Sequence, residues 1–94
     1  MDFEWDPRKA EANARKHGVT FTEAASVFRD SLSATASDPD HSHLEDRYII
    51  VGQSEAGRLL IVSHADRGDR IRIISARELT RPERRTYEEE KDNW

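Results

Sequence analysis

The sequence predicts an α+β fold: a small antiparallel sheet flanked by two N-terminal helices and one C-terminal helix. Three observations lead there. Helix-capping signals open two stretches near the start, three β-rich runs separated by turn residues follow in the middle, and another capping signal opens a charged final stretch. At 94 residues the chain suits one domain spanning positions 1–94.

Phe3-Glu4-Trp5 alternates apolar and polar side chains, as a short strand does. Asp6-Pro7 reads as an N-cap followed by proline at the first helical position, and the helix it opens runs to about Lys16, with Gly18 near its C-terminal cap. Thr20 and Glu23 form a capping box, after which Phe21, Ala24, Ala25 and Phe28 share one helical face, ending near Arg29 or Asp30. Leu32 to Ser37 suits a strand, and Asp38-Pro39-Asp40 a turn. Tyr48-Ile49-Ile50-Val51, Leu59-Leu60-Ile61-Val62 and Arg70 to Arg77 then make a three-stranded meander. Its turns are Glu55-Ala56-Gly57 and Asp66-Arg67-Gly68-Asp69. Thr80 and Glu83 form a second capping box, opening a last helix to about Lys91.

Composition narrows the function classes. Charged residues make up 36% and hydrophobic residues 35%, so a modest core sits under a heavily charged surface. Without cysteine there is neither a disulfide framework nor a thiolate metal site. The N-terminus lacks the pattern of a secretory signal, and no segment approaches the roughly 20 apolar residues that span a bilayer, so a cytoplasmic protein without membrane attachment is expected. Glycine-rich phosphate loops, activated-serine motifs and dinucleotide fingerprints are missing, which argues against ATP-driven and hydride chemistry.

The charge is unevenly spread. Eight of the fifteen Lys and Arg residues lie between Arg58 and Arg85 against four acids, a local net of +4 in a chain of net −4. Such asymmetry is the footprint of a surface that meets phosphate. Strict alternation would put Arg70 and Arg72 on one strand face and Ser75 and Arg77 on the other. The doubled Ile73-Ile74 suggests a β-bulge that shifts the phase, bringing all four onto one face with Ile71 and Ile74 behind it in the core. The alternative is a solvated face paired with acids. In the last helix Arg81, Arg84 and Arg85 oppose the helix dipole, and Arg84 shares a face with Tyr87, so a base could stack on the ring while phosphate meets the guanidinium. Equally, Tyr87 could pack on the sheet while these arginines pair with Glu88 or Glu89. His17 ends the first helix; a histidine titrates near neutrality and suits proton transfer, but also complements a helix C-terminus. His64 ends a strand and is similarly open. The segment Asp38 to Asp46, with His41 and His43, has metal-loop composition but no recognised spacing, so no metal and no cofactor are expected.

Phe3 to Pro7, Lys9, Asn13, Lys16-His17-Gly18-Val19, Phe21, Glu23-Ala24 and Phe28 together resemble the opening of BrnT-type toxins. The resemblance continues through His41, Glu45-Asp46-Arg47, Gly52, Ser54, Gly57-Arg58, Ile71 to Arg77, Thr80, Glu83-Arg84 and Tyr87. It departs at Glu78-Leu79, where the family more often has a small or basic residue beside alanine. The resemblance implies a RelE-like fold and a ribonuclease that arrests translation as the toxin of a bacterial type II toxin–antitoxin pair. It further implies neutralisation by a BrnA-type antitoxin, a 2:2 assembly, and contact with operator DNA only through the antitoxin.

RNA cleavage through the 2′-hydroxyl needs a base, an acid and a cation at the phosphorane. Arg72 and Arg77 are the candidates for the phosphorane, and His17 and Glu83 for proton transfer. Arg70, Arg81, Arg84, Tyr87 and Lys16 are candidates for RNA binding. The rivals are a non-catalytic antitoxin-binding module acting through the same basic surface, and a metal-dependent nuclease built on His41 and His43.

Overall fold

The computed structural model describes residues 1–38 and 46–92. In chain order the elements are β1 (Asp2–Glu4), α1 (Pro7–His17), α2 (Phe21–Ser26) with a 3-10 turn (Val27–Arg29), β2 (Ala34–Ser37), β3 (Arg47–Gln53), β4 (Leu59–Arg67), β5 (Arg70–Glu78) and α3 (Arg81–Asp92). The strands form one sheet in the order β1-β5-β4-β3-β2. The expected α+β architecture and meander are present. One pairing differs: β1 runs parallel to β5, so the sheet is mixed rather than wholly antiparallel. Residues 39–45, which carry the His41 and His43 of the rival metal-dependent reading, lie outside the described residues.

Local chemistry explains the elements. Asp6 accepts from the Arg8 N–H at 2.8 Å ahead of Pro7, and Gly18 ends α1 in the left-handed region at φ 69°, a conformation glycine adopts without a Cβ clash. Thr20 accepts from the Glu23 N–H at 3.1 Å, but Glu23 does not complete the box; its carboxylate turns to Arg58 and Ser54. Around Thr80 the box closes in both directions, with Thr80 N–H to Glu83 at 2.8 Å and Glu83 N–H to Thr80 at 3.4 Å.

The core lies between the sheet and the two N-terminal helices, with Val19, Phe21, Ala24 and Val27 against Ile50, Leu60, Val62, Ile73 and Ala76. Phe3, Phe28, His64 and Tyr48 extend it as a chain of ring contacts, with centroids 5.2, 4.8 and 5.9 Å apart in turn. Gly52 lets the segment after the 3-10 turn approach closely, since a Cβ there would sit 2.9 Å from the Ser33 Cβ. Asp30 secures that segment by accepting from the Gln53 N–H at 2.7 Å and the Leu32 N–H at 2.9 Å.

Beyond Arg72, β5 has no strand on its outer side, because β1 pairs only with residues 70–72. Asn13 of α1 fills the gap. Its carboxamide oxygen accepts from the Ala76 N–H at 3.1 Å, and its nitrogen donates to the carbonyls of Ala76 at 2.8 Å and Val19 at 2.9 Å. One buried side chain thus satisfies three backbone groups that would otherwise be orphaned. Asn13→Leu is expected to cost about 2–4 kcal/mol by leaving them unpaired, and Asn13→Asp, which keeps only the acceptor, should also destabilise; urea unfolding of each variant measures the loss.

Candidate functional site

The β-bulge expected in β5 is present. Ser63 pairs with Ser75 and His64 with Ile73, so Ile74 is the residue left without a ladder partner. The phase therefore shifts. Ile73 and Ala76 face the core, and Arg70, Arg72, Ser75 and Arg77 share the opposite face. One detail is corrected: Ile73 and Ala76, not Ile71 and Ile74, are the buried residues; Ile71 and Ile74 are both half-buried, and Ile74 is itself the extra residue of the bulge.

The four-residue row is organised by acids. Glu4 of β1, beside Arg72 in the parallel ladder, accepts from Arg72 at 2.9 Å and lies 3.8 Å from Arg70. Two cations share one carboxylate there, leaving a net positive charge. At the other end Arg77 is gripped bidentately by Glu83, at 2.8 and 3.0 Å, and also donates to the Glu78 carbonyl at 3.1 Å. The Arg77 fork, helped by the Thr80 N–H and opposed by partial burial, holds the Glu83 carboxyl down to about 2, and the same pairing raises Arg77. A carboxylate so acidic is a poor proton acceptor near neutrality.

The other expected residues are more scattered. Arg81, Arg84 and Arg85 are exposed on α3, and among the described residues none of them has an ion pair. Tyr87 is nine-tenths buried and donates its hydroxyl to the Leu32 carbonyl at 3.0 Å, so it is a wall of the structure rather than a free-standing platform for a base. Lys16 is exposed and His17 half-buried at the end of α1, in the helical layer. Neither is hydrogen-bonded or ion-paired to Arg72, Arg77 or Glu83 among the described residues. His17 reaches the end of β5 only indirectly: Arg58 donates to the neighbouring Gly18 carbonyl at 3.0 Å and lies 3.5 Å from Glu78.

Sequence reasoning missed three partners. Glu23 is clamped by Arg58 through two charge-assisted bonds, one of them at 3.0 Å, and by the Ser54 hydroxyl at 2.7 Å. The Arg58 hydrogen bonds hold Glu23 below the usual carboxylate range, against burial. Glu4 escaped notice although it alternates with Phe3 and Trp5. Asn13 was signalled by being a poor helix former amid alanines. His64 belongs to the core rather than the site: burial between Phe28 and Tyr48 pushes its imidazole below the ordinary range.

Beside the arginine row the same sheet face turns apolar. Ala34, Ala36, Ile49, Val51 and Ile61 floor a trough of about 440 Å³ whose other wall is α3, through Pro82, Glu83, Thr86, Tyr87 and Glu90. Among the described residues no cluster of His, Asp and Glu could hold a metal ion. No helix is long and apolar enough to cross a membrane.

His64, Glu23 and Glu83 all bind protons less readily in the folded chain than in the unfolded one, so stability falls on acidification. The loss begins below about 6.5 at His64 and resumes below about 4.5 at the two carboxylates, ending near 2 for Glu83. Denaturant midpoints between pH 7.5 and 3 should show both steps, and His64→Gln should flatten the first; an unchanged wild-type midpoint from pH 7 to 5 contradicts this.

Comparison with known proteins places the chain. A family model described as the ribonuclease toxin BrnT of type II toxin–antitoxin systems matches residues 5–83. The fold is similar to that of the BrnT ribonuclease toxin of Brucella abortus, known from a 1.1 Å crystal structure. The TM-score is 0.65 and the identity 21%, over 86% of this chain and 99% of that one. None of the curated proteins compared with the chain matches it. The family match covers most of the sequence, and the solved structure has the same sheet-and-helix fold; the chain belongs to the BrnT family of type II toxin–antitoxin ribonuclease toxins.

Proposed function

We propose that this chain cuts RNA without a metal, by attack of the substrate's own 2′-hydroxyl, and so arrests translation in the cytoplasm until a BrnA-type antitoxin covers the cutting face. The observation that carries this reading is the row of Arg70, Arg72 and Arg77 on one open sheet face. Guanidinium groups stay charged and grip phosphate oxygens in pairs. Arg77 is assigned to the phosphorane, where one preorganised contact contributes about 10²–10³-fold. Arg72, roughly 15 Å away at about 3.3 Å per residue along the strand, is assigned with Arg70 to a flanking phosphate rather than to the same one. Arg81, Arg84 and Lys16 extend the positive track for RNA, and Tyr87 helps shape it.

Glu83 is reassigned. Held near 2 by Arg77, it orients the guanidinium instead of exchanging protons. Proton transfer then falls to His17, whose imidazole chemistry suits it. In the same reading toxin and antitoxin form a 2:2 assembly that meets operator DNA through the antitoxin.

A second reading has a specific observation behind it. Arg72 and Arg77 already carry acid partners, and half of the face is apolar, as a non-catalytic antitoxin-binding surface would be. Incubating the purified chain with RNA in EDTA separates the two. Cleavage that persists in EDTA and falls at least tenfold in folded Arg77→Ala supports the enzyme; wild-type rates in that variant remove Arg77 from the site; intact RNA throughout, with ribosomes present as well, favours the binding module. Glu83→Gln should change the acidic limb of the pH–rate profile little, since the residue moves no proton, whereas His17→Ala should lower the cleavage rate about 10²-fold.

A further inference from the structure

The apolar half of the sheet face has no role in phosphate contact. Ile49, Val51 and Ile61 are only half-buried, so a strip of aliphatic surface stands open to solvent beneath α3. It is not a separate place: Ile61 is the ladder partner of Arg77, so the strip begins one strand, about 5 Å, from the arginine row. The trough is a slot, with an aliphatic floor and with Pro82 and Tyr87 on its far side. A flat ring fits such a slot, and a volume of about 440 Å³ leaves room for a nucleobase with its sugar at the mouth.

Charge selects what enters. Glu83 and Glu90 line the α3 side, and their carboxylates repel phosphate. Glu83 has its oxygens engaged by Arg77 and Thr80, whereas Glu90 is exposed and among the described residues has no ion pair. An ionised carboxylate only accepts hydrogen bonds, and its two oxygens match two parallel N–H donors. Among the RNA bases guanine presents such a pair, N1–H beside the N2 amino group. Uracil offers one N–H between two carbonyls, which a carboxylate disfavours.

Resting on the ribonuclease reading, we propose that the trough between α3 and the β2-β3-β4 face is a base-binding subsite that seats a guanine next to the phosphate held by Arg77, with Glu90 as the residue that reads the base. Unstacked bases are commonly recognised in this way, by apolar or aromatic contact with the ring and hydrogen bonds to the Watson–Crick edge.

Titration of the isotopically labelled chain with guanosine monophosphate and, separately, uridine monophosphate tests this by NMR. Guanosine monophosphate should shift the amides of Ile49, Val51 and Ile61 and bind at least fivefold more tightly than uridine monophosphate. Val51→Arg, which fills the trough, should abolish those shifts, and Glu90→Gln, exposed on its helix, should bring the two nucleotides within twofold of each other. Equal affinities in the wild type, or shifts confined to the arginine row, overturn the proposal. Fragment ends from a random-sequence RNA keep the two readings apart. Cleavage with no guanine bias overturns the subsite and leaves the ribonuclease standing, while selective guanosine monophosphate binding without any cleavage supports the subsite and counts against the ribonuclease.

Discussion

Asn13 holds the strand on which the arginines stand. Its carboxamide serves both polar groups of Ala76 and the Val19 carbonyl, so one buried side chain closes the sheet edge that β1 leaves open and fixes α1 to it. The contact falls two residues after the bulge at Ile74, where the face of β5 has just changed phase. Without that closure, backbone groups beside Arg77 would compete for water, and the end of the strand would fray into the site. The position of Arg77 therefore depends on a helix residue 64 positions away in sequence, which bonds the neighbouring Ala76.

Much of this fold was legible in the sequence because its signals are local. Proline, glycine and the Thr–Glu pairs marked helix ends, and the β-rich runs between glycine turns marked the meander. Even the bulge could be read from the doubled Ile73-Ile74, since two apolar residues in succession break a two-residue repeat. What stayed hidden was long-range. Nothing local says that β1 lies parallel to β5, that Glu23 prefers Arg58 to its own capping box, or that Tyr87 spends its hydroxyl on the Leu32 carbonyl. The arginines of the row were identifiable as cations, but their acid partners, and so their net charge, required the third dimension.

That net charge shapes the face. Glu4 takes up part of the charge of Arg70 and Arg72, and Glu83 balances Arg77, so the surface is an array of oriented forks rather than an unscreened positive field. Paired guanidiniums lose less freedom when a phosphate arrives, because they already point where it must sit. The cost is competition with the resident carboxylates. On the proposed ribonuclease reading, RNA engages such a face where shape and several contacts coincide, and long-range attraction contributes less. Gly52 shares in the arrangement from a distance: the close approach it permits carries Leu32 to Tyr87, and with it α3 to the rim of the sheet.

The parallel pairing of β1 with β5 also sets an order of events in folding. Glu4 and its partner Arg72 stand 68 positions apart in sequence. Contacts of such sequence separation form late because the intervening chain must first be gathered. The arginine face thus has no finished geometry early in folding; it is completed only as β5 docks against β1, after the helices and the meander between them have been gathered.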